Sequence, residues 1–92
     1  MLLDEDQLKN VEMMASLFFS PETIADNLEL DPDDTDMFLA GIEMKTSDAY
    51  RFFSRGRLRS EVEIRTAIKM AALNGSSPAQ GLMINFFKDS QP

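Results

Sequence analysis

The side chains in this sequence with the clearest chemical potential are arginines. Arg51, Arg55, Arg57 and Arg59 fall in the stretch AYRFFSRGRLRS, and Arg65 and Lys69 follow in EVEIRTAIKMA. A guanidinium presents a rigid fork of donors that matches a phosphate. Residues four apart share a helix face, so Arg51, Arg55 and Arg59 form a row able to follow a polyanion backbone. Leu58, Val62 and Leu73 lie among these basic residues on the same helical arc. A face that meets only water has no need of them, and they point to contact with another subunit. A solvated face laced by pairs such as Glu61–Arg65 is the third reading of the stripe, and the pattern alone leaves all three open.

Other chemistry is harder to build. The 92 residues contain no cysteine and no histidine, which removes disulfides, most zinc ligands and the usual nucleophile–base pairs. No glycine-rich phosphate loop is present, since Gly75-Ser76-Ser77 reads as helix punctuation. Asp31, Asp33, Asp34 and Asp36 resemble a calcium loop only superficially. The glycine and distal glutamate of that motif are missing, and Pro32 suits a helix start. No catalytic set, metal or cofactor is expected. The start MLLDEDQLK has no signal-peptide pattern and no stretch reaches the length of a membrane span, so an intracellular, cytoplasmic protein without membrane contact is expected.

The net charge of −7 conceals a division. Residues 1–48 carry two lysines against 13 acids, a net of −11, and residues 49–92 carry seven basic residues against three acids, a net of +4. Such asymmetry points to a polyanion-facing half or to head-to-tail packing of subunits. A chain of this length buries only roughly 60–65% of the surface it exposes when unfolded, so a partner or self-association would help it.

The elements that would carry these side chains are all helical. Asp4 caps a first helix with Leu8, Val11, Met14, Ala15 and Phe18 at helical spacing, ending near Phe19. Ser20-Pro21 and Asp31-Pro32 are both cap-then-proline starts. They open a short helix to about Leu28, with Ile24, Ala25 and Leu28 inward, and a third helix using Met37, Phe38, Ala40 or Gly41, and Met44. Thr46 or Ser47 starts a fourth over 47–74. Its apolar arc is Tyr50, Phe53, Ile64, Ala67, Ile68, Ala71 and Ala72. Gly56 inside it marks a kink, a break or close approach by another chain. Asn74-Gly75 ends it, and Ser77 with Gln80 reads as a capping box for a last helix to about Lys88. Leu82, Met83, Phe86 and Phe87 would pack back on the fourth helix, and the seven methionines read as core filler.

SPETIADNLELDPDDTDMFLAGI thus has the layout of a helix-turn-helix, with its turn at Glu29-Leu30. Glu29 holds the position where glycine is comfortable, at about 1 kcal/mol if left-handed. Three carboxylates, Asp33, Asp34 and Asp36, open the second helix and would repel a DNA backbone, leaving Thr35 or its neighbours for any base readout.

Three features in one order resemble the small subunits of phage terminases and related helical proteins of phages and prophages. They are SPETIADNLELDPDD, AYRFFSRGRLRSEVEIRTAIKMA and ALNGSSPAQGLMINFF, together spanning about residues 17–88. The resemblance implies a non-enzymatic DNA-binding component of phage DNA packaging, acting as an oligomer inside the host cell and recruiting a large terminase subunit. It implies that Asp31 to Gly41 would be the reader helix and that the fourth helix would serve assembly. The residues also admit an acidic protein–protein adaptor or structural protein of a phage, or a dimeric helix-turn-helix transcription regulator. The expected fold is all-α with about five helices, in one domain over 1–92. Within it, 1–45 form an acidic helix-turn-helix-like part, and 46–90 a hairpin of a long helix and a closing antiparallel helix that supports oligomerisation. Arg51, Arg55, Arg57, Arg59 and Thr35 are the candidate DNA contacts, and Leu58, Val62 and Leu73 the candidate subunit contacts.

Overall fold

The computed structural model describes residues 2–92. The fold is all-α, with α1 (Glu5–Ser16), α2 (Pro21–Asn27), α3 (Pro32–Met44), α4 (Asp48–Leu73) and α5 (Ser77–Asp89). Each helix starts where a side chain can satisfy the orphan amides of the first turn. Asp4 and Gln7 form a reciprocal capping box, at 2.7 and 2.9 Å. Ser20 accepts from Thr23 N, Asp31 from Asp34 N and Ser47 from Tyr50 N. The last cap is Ser76 rather than Ser77, accepting from Ala79 N. Gln80 does not close a box but donates to the Ala72 carbonyl at 3.1 Å, tying α5 to α4.

The first four helices are each followed by a residue of positive φ, of which only Gly75 is a glycine (φ 100°), whereas α5 ends at Ser90 in the right-handed region. Phe18, Glu29 and Lys45 adopt φ of 65°, 57° and 58°. Phe18 therefore belongs to the α1–α2 turn and is exposed, not part of the α1 core stripe. Glu29, in the turn between α2 and α3, is left-handed, a conformation in which glycine is comfortable.

The chain divides into two compact units inside α4, one ending at Ser60 and the other beginning at Glu61. The first has a true core. Val11, Met14 and Ala15 of α1 meet Ile24 and Ala25 of α2, Phe38 and Ile42 of α3 and Ala49 of α4, with Leu8, Leu28, Leu30, Leu39, Tyr50, Phe52 and Phe53 around them. The α3 pattern is resolved differently from the sequence expectation. Phe38 and Ile42 are buried, Gly41 is half-buried, and Met37, Ala40 and Met44 face solvent.

The α1–α4 crossing in this unit is unusually close. Gly56 is buried, and a Cβ there would run into the Glu12 carbonyl oxygen and press on the Ala15 methyl at 3.1 Å. The helix continues through Gly56 without a break, so the approach that this glycine permits is by α1 of the same chain. One turn on, the buried Ser60 hydroxyl donates to the Ser16 carbonyl. A small residue every four positions lets two helix backbones come together.

The second unit pairs the end of α4 with α5 and has almost no interior. Ala79 is its one buried residue, with Ile68, Ala72, Met83 and Phe86 partly covered. The expected apolar arc of α4 fails here, because Ile64, Ala67 and Ala71 are exposed. So are Leu82 and Phe87, expected to pack inward. Two helices can cover only one stripe of each other, and nothing else in the unit reaches the rest.

Gly56→Ala should therefore destabilise the first unit by about 1–3 kcal/mol, although alanine gains about 1 kcal/mol in helix propensity. Gly81→Ala, with open space around its Cβ position, should be neutral or stabilising. Urea unfolding of both variants, followed by circular dichroism, checks the contrast.

Candidate polyanion and assembly surfaces

All four candidate DNA-contact arginines lie in the first unit, and all four are engaged within it. Arg51 pairs with Asp48 one turn earlier at 3.1 Å. Arg55 and Arg59 converge on one carboxylate, Glu12 of α1, at 3.6 and 3.1 Å. The Glu12 side chain is only 19% exposed, whereas both arginines remain about half exposed. Its Oε1 faces Arg55 beyond hydrogen-bond range and has no hydrogen-bond partner. Two cations thus hold one largely covered anion, and their outer faces remain in solvent.

Arg57 is placed differently from the other three. Its guanidinium lies over the Phe53 ring at 4.6 Å and the Phe18 ring at 5.8 Å, and donates to the Phe19 carbonyl at 3.1 Å. It fastens the α1–α2 turn, where Phe18 is left-handed, onto α4. Arg55 also stacks on Phe52, at 4.7 Å. The structure therefore brings Arg51, Arg55 and Arg59 to one exposed row and turns Arg57 toward aromatic rings.

Thr35 is half-buried and its hydroxyl donates to the Leu30 carbonyl, across the α2–α3 turn. The exposed arc of α3 is instead Asp33, Asp36, Met37, Ala40, Glu43 and Met44. Of the candidate subunit contacts, Leu58 is exposed in the first unit, and Val62 and Leu73 in the second. In the second unit Arg65 holds Glu61 at 2.8 Å, the pair anticipated from the sequence, and lies 4.0 Å over the Phe86 ring.

Glu12 is the site residue that sequence reasoning missed. It sits 43 and 47 positions from its two partners, on the polar side of an ordinary amphipathic helix, and no local periodicity links residues so far apart. No helix among the described residues is long and apolar enough to cross a membrane. The chain matches no family model, no curated protein and no solved structure with which it was compared.

The distinction between Arg57 and its neighbours is measurable. Arg57→Ala should destabilise by about 1–3 kcal/mol through lost packing and an unpaired carbonyl. Arg51→Ala, at an exposed pair one turn apart, should change stability by less than about 0.5 kcal/mol. A double-mutant cycle on Glu12 and Arg59 should give a coupling of about 0.5–1 kcal/mol that shrinks with added salt.

Proposed function

We propose that the protein is a non-enzymatic, self-assembling component of a phage-type DNA-packaging apparatus, of the kind its sequence resembles in terminase small subunits. The observation that carries this reading is the unfilled hairpin after Glu61. Seven large apolar side chains there are at least 44% exposed, including Leu73 at 72% and Phe87 at 67%, around a single buried alanine. Covering that surface would contribute on the order of 5–10 kcal/mol, and a two-helix unit has no means of covering it alone. A second hairpin does, because two αα-hairpins laid together form a four-helix bundle with a continuous core. The charges favour self-pairing: from Glu61 onward three acids balance three basic residues, so a like surface meets no net repulsion.

DNA contact is the second part of this reading, supported by the exposed row of Arg51, Arg55 and Arg59. Arg55 and Arg59 would exchange Glu12 for phosphate, which limits the gain. The grip would then be weak and sequence-independent, and a large terminase subunit would be a further partner in such an apparatus.

Light scattering tests assembly directly. The expected mass is a multiple of 10.4 kDa, and Leu73→Glu with Phe87→Glu should return the protein to one chain. A wild-type protein that stays a single chain at high concentration overturns the assembly reading. DNA contact is tested by fluorescence anisotropy on duplex DNA across a salt series. Three phosphate contacts predict a slope of log affinity against log salt of about −3, and replacing the three arginines by alanine should flatten it. Undetectable binding at low salt sinks the DNA part and leaves the assembly part standing.

A further inference from the structure

We infer that the exposed face of α3 docks a basic amphipathic helix of a partner protein. Asp33, Met37, Ala40 and Met44 recur at spacings of four, three and four, so they form one stripe along the helix. Phe38 and Ile42 anchor the opposite side in the core, which fixes that stripe outward. Met37 is 55% exposed and Met44 is 68% exposed, an apolar strip with nothing on it. Asp36 and Glu43 run beside the strip, both in solvent.

The surrounding charge determines what can cover this strip. Residues 20–44 contain eight carboxylates and no lysine or arginine, and none of the eight is in an ion pair among the described residues. A DNA backbone would meet like charge along the whole face. A second copy offers no basic surface to match it, since the unit ending at Ser60 carries 13 acids against six basic residues, a net of −7, and the unit from Glu61 has no net charge. A helix with apolar residues one turn apart and lysine or arginine beside them fits both features. The thioether chains can adapt to its shape, and the carboxylates steer it in and fix its register. Thirteen residues of α3 give about 20 Å of length, enough for three to four turns of the partner. The inference is independent of assembly through the hairpin.

The test uses the full chain, labelled for amide chemical-shift mapping, and a synthetic lysine/leucine amphipathic peptide of about 14 residues as probe. Perturbed amides should cluster over 33–44, with micromolar affinity that falls about tenfold or more from low to physiological salt. Met37→Ser with Met44→Ser, and separately Asp36→Asn with Glu43→Gln, should each weaken binding about tenfold. These side chains are exposed, so the circular dichroism should not change. Four results overturn the inference. They are perturbations confined to 61–89, equal binding of an all-lysine peptide without leucine, duplex DNA shifting the α3 amides instead, and a change of oligomeric mass on replacing Met37 and Met44. The last would make the occupant a second copy.

Discussion

The first unit depends on how closely α4 can lie on α1, and that is decided at Gly56. With no Cβ there, the backbone of α4 comes against the Glu12 carbonyl, and Ser60 can give its hydroxyl to Ser16 one turn later. Only at that separation do Arg55 and Arg59 reach the Glu12 carboxylate from one side, and Arg57 the Phe19 carbonyl from the other. The three arginines therefore act first as clamps around a small-residue contact. Direct packing of backbones gains dispersion over many atoms, while each half-exposed ion pair adds little. The contact sets the geometry and the charges secure it.

Using arginines in this way redistributes the charge of the unit. Glu12 and Asp48 are matched by cations, but the carboxylates of α2 and α3 are not. The negative field is thus concentrated on the α2–α3 pair, the element whose sequence layout led to the expectation of nucleic-acid contact. Layout and charge disagree there. Left-handed Glu29, the Asp31 cap and the buried Ile24, Ala25 and Phe38 join the two helices by a tight turn over a shared core. The side chains the pair presents outward have the wrong sign for phosphate, and Thr35 spends its hydroxyl on the Leu30 carbonyl. Fold geometry does not carry function by itself; the presented chemistry does.

Much of the fold was legible in local pattern, because caps and breakers act over three or four residues. Asp4, Ser20 and Asp31 opened helices as their types require, and the all-α class followed. Two adjacent serines misled by one position, since Ser76 and Ser77 are equally good caps by type. Apolar residues were harder to assign, because periodicity identifies an arc but not what lies against it. Met37 and Met44 are spaced like core residues, yet the core ends at Phe38 and Ile42. Ile64 and Ala71 extend the arc of Tyr50 and Phe53, yet no element of their own unit covers them. The Glu12 partnership was invisible for a different reason, being fixed by the crossing of two helices distant in sequence.

The exposed apolar positions therefore fall into two kinds that charge separates. From Glu61 onward opposite charges balance, and the bare residues are numerous and spread over both helices. A surface of that kind loses nothing by meeting its own copy and gains a core the unit lacks. On α3 the bare strip is narrow, flanked by acids and backed by a complete core, so the helix is stable without a cover. The first kind of surface belongs to a unit with almost no core, whereas the second is an apolar strip on a helix whose other side is anchored in one. A hydrophobic side chain in solvent has the same cost in both places, but only the hairpin lacks a buried core of its own to offset it.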